Sequence, residues 1–558
     1  MLSNFSLSSA PELVELYGLV LPFLIPSETT MFYFNPTGRN CSLENLQSTL
    51  SQHPQIIWHR EEAYPELYNR HSSNIFAMAC LSRNSFEWQL KLLATSLTRF
   101  RSIKILIETQ AKQSQFLASQ ILQLCLEHSM LNVVMYFPRW KYIRNIYSYQ
   151  AFPYFTLVKQ RLSGVSPSRI FTNQLKDVRG YQLRVQPDLS PPNSFPYRDS
   201  QGDYRIGGFL WKFIQHFSES LGAGIHVLYP TWPKAKVASE EYMVKLTRNG
   251  SSDFGLTTTM TMYKHEERYR DYSYPMFYSG WCTMLPVEKP LSVHTLFRHV
   301  LCPGSAILLA LGSILCFLVI PPLIKYFGIT FRGRLMTMAS RIFTLIMLCA
   351  SSAQLLSLLI SPPLHPRIES FDDLLASDLK IFGLRSEFYF MDGDFRAKYA
   401  AAFHLTDNPY ELYDNRNYFN TSWAYTITSL KWTVIDAQQR HFAHPVFRFS
   451  EKLCFNWASP CGLLIAPESI YRDPLQQFTL RMEQAGLINQ WTTRSFYDMV
   501  KAGRMTIKDY SRTTLLTPLR TKDLQMWWFN FAVGLGTSFV VFTIELLLFY
   551  TNVFLNSL

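Results

Sequence analysis

The sequence predicts an α/β protein with an added α-helical membrane part. Three observations lead to this prediction: three long runs without clusters of charge, an α/β pattern on both sides of the first two runs, and another in the amino-terminal segment. The 558 residues are 48% hydrophobic, 15% aromatic and 17% charged, which is typical of a chain that is partly globular and partly membrane-embedded. A chain of this length is expected to form about three units rather than one domain.

The amino-terminal segment, residues 1–174, shows βαβ alternation. The stretches "NIFAMACL", "SIKILIE" and "LNVVMYF" have the apolar pattern of buried strands, and "SFEWQLKLLATSLTRF" and "AKQSQFLASQILQLCLEH" separate them as predicted helices. This alternation predicts a parallel sheet. No convincing secretory signal is found, because Glu12 and Glu15 interrupt the first apolar region. Either the start differs from the natural one, or the first span acts as the insertion signal.

Two further segments, 175–299 and 365–523, also have an α/β pattern. In the first, "YQLRVQPDL", "IHVLYP" and "SDFGLTTTMT" are predicted strands around the helix "GGFLWKFIQHFSESLG". In the second, "LKIFGL" is a predicted strand between the helix "IESFDDLLAS" and one amphipathic helix, "FTLRMEQAGLINQWTTRSF". Each segment has the pattern expected of one lobe of a two-lobed binding module, whose ligands lie in the crevice between the lobes.

The three apolar runs are predicted membrane spans. They extend over Val300–Ile324, over Ile342–Leu364 and from Leu524 onward. We assign 300–364 to the first two spans with their connection, 524–550 to the last span and 551–558 to a short cytoplasmic tail. Roughly 20 apolar residues cross a bilayer as a helix, and Trp527 and Trp528 begin the last run where an interfacial aromatic belt would lie. Three such runs argue against buried helices of a soluble protein.

The connection between the first two spans sets the predicted orientation. "KYFGITFRGRLMTMASR" contains four basic residues and no acid, which predicts a cytoplasmic loop. The amino-terminal part and the segment between the second and third spans are then outside. All four N-x-S/T sequons fall in these outer parts, so they are candidate glycosylation sites: Asn4, Asn40, Asn249 and Asn420.

The net charge of +12 does not predict a nucleic-acid partner, because the basic residues are scattered singly and no Cys/His zinc spacing occurs. No hydrolase, metalloprotease or nucleotide-binding motif is found, so we expect no enzyme, no cofactor and no metal site. The nine cysteines do not form a disulfide framework. Cys454 and Cys461 are the most plausible disulfide pair, with two free thiols as the alternative.

Four pieces of the chain, between Leu175 and Tyr550, together resemble the ionotropic glutamate receptor superfamily, and most of all its divergent insect chemosensory branch. The pieces are "GSSDFGLTTTMTMYKHEERYRDYSYPMFYSG", "SRIFTLIMLCASSAQLLSLLISPPLHPRIESFDDL", "MEQAGLINQW" and "FNFAVGLGTSFVVFTIE". Each piece alone is weakly specific, but their order and spacing match. The resemblance implies a bilobed module like the periplasmic binding proteins, interrupted by transmembrane helices. It also implies a shortened amino-terminal domain used for assembly.

The resemblance places the family's gate helix on the second span. Its Ala-Asn-Leu core aligns with Ala353, Gln354 and Leu355, which brings Ser351 and Ser352 onto the preceding polar positions. Leu359 follows on the same predicted face. Polar side chains within a span usually face a bundle interior or water, so we expect this row of polar side chains in the second span to line a pore. The alternative is that these side chains only join helices to one another.

The ligand-contacting positions of the family match this sequence poorly. Thr261 keeps the family's Thr, Glu266 stands where an Arg holds the ligand carboxylate, and Arg268 lies two residues further on. In the second segment the candidates are Arg385 with Ser386, and Thr428 stands nearest to the position of the acid that binds an amino group. A cleft without that Arg and that acid leaves the charges of an amino acid unpaired. We therefore predict that glutamate and glycine are not agonists.

The implied function is that of a subunit of a ligand-gated cation channel, a receptor for taste, odour or pheromone molecules. It would be a multi-pass protein in the plasma membrane of sensory neurons, in a heterotetramer with co-receptor subunits of the same family. Closure of the module on a small chemosensory ligand would pull a first linker (287–297) and a second linker (361–370). Only sixteen residues, 326–341, remain for a pore loop. That short loop favours the alternative of a non-conducting ligand-binding or accessory subunit.

Overall fold

The computed structural model describes residues 18–291 and 361–511 with gaps at 25–27, 139–144, 162–169, 229–237 and 261–270 and at single positions, and residues 525–557. Between 292 and 360, and between 512 and 524, it describes only scattered residues. The described part is mixed α/β with two large sheets, one of seven strands and one of eight. This confirms the α/β class; the two-lobed arrangement stays a prediction.

The seven-stranded N-terminal sheet has the order β2-β1-β3-β4-β5-β6-β7. Its strands are Thr30–Phe34 (β1), Gln55–Trp58 (β2), Ile75–Ser82 (β3), Lys104–Gln110 (β4), Asn132–Tyr136 (β5), Asn145–Gln150 (β6) and Thr156–Arg161 (β7). Its helices are Ser42–Thr49 (α1), Leu67–Arg70 (α2), Phe86–Ser96 (α3) and Gln115–Glu127 (α4). Strands β1 to β5 are parallel, as the βαβ pattern predicts, and β6 and β7 are antiparallel to their neighbours.

The inner strands of this sheet are buried on both faces and are largely apolar, whereas the edge strands β2 and β7 are partly exposed. In β1, Phe32 and Phe34 enter one apolar cluster, whereas Met31 and Tyr33 enter another. Successive side chains of a strand point to opposite faces, so the two clusters are the two covered faces of the sheet. All eight residues of β3 are buried, as expected for its place inside the sheet.

The remaining elements of the structure follow in chain order. Before the apolar runs lie Gln182–Pro187 (β8), Phe195–Arg198 (β9), Tyr204–Gly207 (β10), Phe209–Ser220 (α5), Gly224–Val227 (β11), Glu240–Arg248 (α6), Phe254–Met260 (β12) and Phe277–Pro286 (β13). After them lie Phe371–Ala376 (α7), Ile381–Leu384 (β14), Arg385–Tyr389 (α8), Gly393–Tyr399 (α9), Phe403–Thr406 (β15), Pro409–Asn417 (α10), Ala424–Thr428 (β16), Ser429–Gln439 (α11), Phe447–Ile465 (β17), Arg472–Gln484 (α12), Leu487–Lys501 (α13) and Gln525–Ser557 (α14). Three short 3-10 turns are Leu21–Phe23, Gln174–Lys176 and Ala400–Ala402.

The chain divides into two compact units. Unit 1 contains Met1–Cys282, Ile427–His441 and Cys454–Lys508, and unit 2 contains Thr283–Thr426, Phe442–Leu453 and Asp509–Leu558. In unit 1, β8 pairs in parallel with β11 and β12, and β12 pairs antiparallel with the end of β17. Unit 1 therefore combines strands from before and after the apolar runs.

Helix α5 begins at a close approach between two backbones. Gly208 is its N-cap residue with φ +118°, and a Cβ atom there would lie 2.3 Å from the Asn193 carbonyl oxygen. Phe209 and Leu210 donate their backbone N–H groups to the carbonyls of Pro192 and Asn193. Only glycine fits this position, and the loop carbonyls satisfy N–H groups that a helix start leaves open.

The sequence prediction of one helix over 478–496 is wrong. The structure has two helices there, α12 and α13, and they separate at Gly486 with φ +69°. A left-handed glycine after the last helical turn is a common helix end, and the Gly486 N–H donates to the Glu483 carbonyl. The apolar periodicity continues through the break, which is why the pattern alone indicated a single helix.

In unit 2, β14 pairs in parallel with β15 and with β16. Short helices accompany these strands, and α10 carries Pro at its start with Asn408 as N-cap, which favours a helix beginning there. The buried side chains of this part include Ile381, Phe382 and Leu412.

Helix α14 is 33 residues long. Its segment Phe531–Thr551 has a mean hydropathy of 2.0 and no buried side chains, so among the described residues it is the one helix long and apolar enough to cross a membrane. The helix also continues through 551–557, the segment expected to be a tail. The predicted spans over 300–324 and 342–364 lie mostly outside the described residues.

Candidate ligand-binding site

Unit 1 contains a shallow pocket of about 290 Å³. It is lined by Met276, Phe277, Tyr278, Ser429, Leu430, Thr433, Glu483, Ile488, Asn489 and Thr492. Three parts of the chain supply these side chains: the beginning of β13, the first turns of α11 and the junction between α12 and α13. The volume lies near the lower limit for pockets that hold small organic ligands.

Hydrogen bonds fix the start of α11 against β13. Thr428 is the N-cap residue of α11, and its hydroxyl accepts the Lys431 backbone N–H at 3.2 Å. The Ser429 hydroxyl accepts the Gly280 N–H at 3.0 Å and lies 3.0 Å from the Ser279 hydroxyl. Because these bonds hold the first turn of the helix, Ser429 is placed at the pocket wall.

The pocket has an apolar floor and a polar rim. Met276 and Ile488 are buried at the floor, and Tyr278 is 71% exposed at the rim. The hydroxyl and amide groups of the lining come from Tyr278, Ser429, Thr433, Thr492 and Asn489, and Glu483 is the charged side chain that the described residues contribute. Such a surface is suited to an amphipathic molecule that is neutral or carries a positive charge.

A buried carboxylate, Asp188, organises the loop between β8 and β9, whose carbonyls contact the start of α5. It accepts hydrogen bonds from the Ser190 N–H (3.0 Å), the Ser194 hydroxyl (2.5 Å) and the Asn193 amide (2.7 Å). Burial raises the pKa of Asp188 to about 6, although these three bonds and the positive charge of Lys431 act in the opposite direction. Asp188 does not line the pocket, and sequence reasoning did not single it out.

The sequence did contain a signal for the pocket. Met276, Phe277 and Tyr278 lie within "YSYPMFYSG", and Glu483 and Ile488 lie within "MEQAGLINQW". In the sequence both pieces carry the family resemblance. Strand and helix patterns do not show that these two pieces meet in space, because more than 200 residues separate them.

The predicted ligand residues have separate outcomes. Thr261, Glu266 and Arg268 lie outside the described residues. Arg385 begins α8 in unit 2, where its exposed guanidinium pairs with Asp407 at 3.0 Å, and Ser386 next to it is exposed. Thr428 uses its hydroxyl as the cap of α11, directly before the pocket residue Ser429.

Most of the predicted gate lies outside the described residues. This holds for four of its positions: Ser351, Gln354, Leu355 and Leu359. Ser352 and Ala353 are described, and both are helical with exposed side chains. Helical geometry at these two positions agrees with the predicted span, and their role in a pore stays a prediction.

The described sequons differ in accessibility. Asn40 and Asn249 are exposed, whereas Asn420 is half-buried. The Asn420 amide donates to the Asn415 side chain at 2.9 Å and accepts the Ser422 N–H at 3.1 Å. A sugar would replace one of the two hydrogens on the amide nitrogen that makes the first bond, at a half-buried position, so Asn40 and Asn249 are the better candidates. Asn4 lies outside the described residues.

The predicted Cys454–Cys461 pair is wrong. Cys454 bonds to Cys282, and a second disulfide joins Cys41 to Cys80. Cys461 is a buried free thiol, and burial raises its pKa to about 12. The strand β17 explains the error, because Cys454 and Cys461 are separated along one extended strand and cannot approach each other.

Within the described part of the chain, no group of three or more His, Cys, Asp or Glu side chains is placed to hold a metal ion. No known protein family matches the sequence, and no curated protein matches it either. Evidence for a function therefore comes from the chain's own residues and geometry.

Proposed function

We infer that this chain is a subunit of a ligand-gated cation channel that acts as a chemosensory receptor. One observation carries the proposal: the predicted membrane segment 300–364 is inserted within a single folded unit. Strand β12 precedes this segment and the end of β17 follows it, yet the two strands pair side by side, Phe254 opposite Ile465. Cys282 and Cys454 join the same two parts covalently. A binding module whose chain enters the membrane and returns is built to convert ligand binding into movement of the membrane segment.

Two further features support a membrane protein with outer domains. Helix α14 exposes large apolar side chains along its length, including Phe539, Phe542 and Leu547, which water does not favour. Both disulfides lie in segments that the orientation argument assigns to the outside, where disulfides persist. A multi-pass protein of the plasma membrane of sensory neurons fits these features.

The pocket supports a ligand that differs from an amino acid. Among the described residues, its lining offers one carboxylate, Glu483, and no basic side chain, so these residues provide no partner for a ligand carboxylate. We propose an amphipathic amine or a neutral alcohol as the ligand class, in contact with Phe277 and Tyr278. Ligand binding favours one conformation of the module only if that conformation binds the ligand better.

The decisive experiment measures whole-cell current in cells that express the family's co-receptor subunits with and without this chain. A panel of aliphatic and aromatic amines and alcohols is applied. We expect a current that requires this chain and that a thiol reagent blocks in Ser352→Cys but not in the unchanged chain. Good surface expression without any chain-dependent current would contradict conduction and favour a non-conducting accessory subunit.

Thr492 and Thr493 provide a matched pair for testing the pocket. Both hydroxyls donate to the Asn489 carbonyl, at 2.9 and 2.8 Å, but only Thr492 lines the pocket. Thr492→Trp is expected to fill the pocket and raise the half-activating amine concentration about tenfold or more, which corresponds to about 1.4 kcal/mol of lost binding. Thr493→Trp should leave that concentration unchanged, and equal effects of both variants would exclude the pocket as the ligand site.

A further inference from the structure

The two linkers to the predicted membrane segment lie side by side in unit 2. The first linker is described at 287–291 and the second at 361 and 363–370. Two backbone hydrogen bonds join them, from the Leu291 N–H to the Pro363 carbonyl (2.9 Å) and from the His365 N–H to the Lys289 carbonyl (3.0 Å). The two linkers therefore form a short antiparallel ladder just before the chain enters the membrane segment and just after it leaves.

A partly buried ion pair closes this ladder. The Arg448 guanidinium, on strand β17, lies 2.6 Å from Glu288 Oε1, and Glu288 belongs to the first linker. The two side chains are 15% and 12% exposed, so solvent weakens their attraction less than it weakens a surface pair. Arg367 of the second linker approaches the same Glu288 oxygen at 3.8 Å.

Arg448 also holds the second linker. Its Nη2 donates to the Ile368 carbonyl at 2.9 Å, so one guanidinium contacts both linkers. Two further attachments lie beside this one: the carbonyl of Val446, the residue before β17, accepts the Val287 N–H at 2.9 Å, and Lys452 of β17 pairs with Glu369 at 2.5 Å. We call Glu288, Arg367 and Arg448 the linker clasp.

The second linker leads directly into helix α7, with no loop between them. Ser370 is the N-cap residue and accepts the Asp373 N–H at 3.0 Å, while the Asp373 carboxylate accepts the N–H groups of Ser370 and Glu369 at 2.9 and 3.1 Å. This capping box fixes the direction in which the chain enters the helix. A movement of α7 is therefore passed to the segment that the clasp holds.

We propose that Glu288 and Arg448 are positioning residues that lock both linkers to β17, so that the two linkers move as one unit. Without the clasp, each linker would follow its own end of the membrane segment, and only the backbone ladder would hold them together. The effect on gating rests on the proposed function, whereas the locking itself is a property of unit 2.

The lock is tested by cross-linking in the full chain, expressed in cell membranes. Pro290 and Leu364 are directly opposite in the ladder, so cysteines at both positions are placed to form a disulfide. The measurement is the rate at which this bond forms under a mild oxidant. It requires neither a ligand nor a current, and it reports how often the two linkers are in register.

Three variants are compared in this double-cysteine background. We expect Glu288→Gln and Arg448→Gln each to slow cross-linking by about tenfold. The double variant should be no slower than either single variant, because it removes both partners of the partly buried pair and leaves only the exposed Arg367 without its carboxylate. The double variant also covers the case in which a single variant fails to fold. Lys452→Gln is the control, since its pair with Glu369 is exposed and should contribute little.

Currents separate this proposal from the proposed function. In the chain without added cysteines, Glu288→Gln should require more of an active amine for half-activation, whereas Lys452→Gln should not. Slower cross-linking in a chain that never conducts would support the lock and reject the channel. Cross-linking as fast in Glu288→Gln as in the parent chain would overturn the lock, whatever the currents show.

Discussion

The N-terminal sheet and the remainder of unit 1 are both α/β, but they close in different ways. The sheet uses one continuous stretch, 30–161, and three of its six neighbouring strand pairs are joined by short helical connections. The remainder combines three stretches, 182–282, 427–441 and 454–508, across a long excursion of the chain. Local connections cost little chain entropy, whereas the excursion must be closed by long-range contacts. We therefore expect the interrupted part to depend more strongly on its single long-range bonds.

The two disulfides provide the largest test of this difference. Cys282–Cys454 closes a separation of 172 residues, and Cys41–Cys80 closes one of 39. In the loop-entropy description they contribute about 5 and about 4 kcal/mol. We expect the pair Cys282→Ser/Cys454→Ser to lower the melting temperature of the full chain in detergent more than Cys41→Ser/Cys80→Ser does.

Each disulfide variant replaces both cysteines, so no new free thiol is left to form a wrong bond. An equal or larger loss for the Cys41–Cys80 variant would show that the interrupted part is already held by its strand pairing. That result would reject the expectation that the interrupted part of unit 1 depends more strongly on its long-range bonds than the N-terminal sheet does.

The same difference explains which features the sequence predicted. Strands β3, β4 and β5 and helices α3 and α4 were predicted from short apolar patterns, and each of them is present. Short apolar patterns could not predict that β12 pairs with β17, because about 200 residues separate the two strands. The partner of Cys454 is likewise a distant residue, Cys282, 172 residues away, which local patterns do not identify.

The candidate site was less predictable than the fold. Its floor needs Met276 and Ile488 to meet, and its wall needs the first turn of α11. Thr428 was selected as a ligand residue by position in a motif, yet its hydroxyl is engaged with a backbone N–H. The sequence shows which side chains have the chemistry to bind a ligand. Only the folded structure shows which of these side chains are already hydrogen-bonded within the protein and which are exposed to a ligand.

A second test compares one buried carboxylate from each part. Asp188 has a folded pKa of about 6 against an ordinary value of 3.8, so the folded state binds this proton more tightly than the unfolded state. The stabilisation that protonated Asp188 gives the folded state is fully present below about pH 4, and it is lost as the pH rises through about 6. The change is on the order of 3 kcal/mol. Asp188→Asn should therefore match the parent chain near pH 4 and exceed it in melting temperature at pH 7.

Asn is tolerated there because Asn193 Oδ1 has no hydrogen-bond partner among the described residues and is available to accept from the new amide.

Glu108, in the N-terminal sheet, is the control. It accepts backbone N–H groups from Ser42 and Leu43, both at 3.3 Å, and the Tyr136 hydroxyl at 2.7 Å. Glu108→Gln turns an amide toward fixed donors and should cost about 1–3 kcal/mol at neutral pH. A lower melting temperature of Asp188→Asn than of the parent chain at pH 7 would contradict the raised pKa of Asp188.

The smallest test compares two helix caps. Thr428 accepts the Lys431 N–H at the start of α11, and Ser114 accepts the Leu117 N–H at 3.3 Å at the start of α4. Replacement of either by Ala should cost about 1 kcal/mol and speed hydrogen exchange of the capped amide about fivefold. Thr428→Ser keeps the hydroxyl and should exchange as the parent chain does.

The two caps should differ in their consequences for binding. The first turn of α11 carries Ser429, Leu430 and Thr433 into the pocket, whereas α4 contributes nothing to the pocket lining. Thr428→Ala should therefore weaken amine activation together with the cap, and Ser114→Ala should leave activation unchanged. If Thr428→Ser restored the slow amide exchange but not the activation, the threonine methyl group itself would contact the ligand. Thr428 would then be a binding residue as well as a cap, as the sequence predicted.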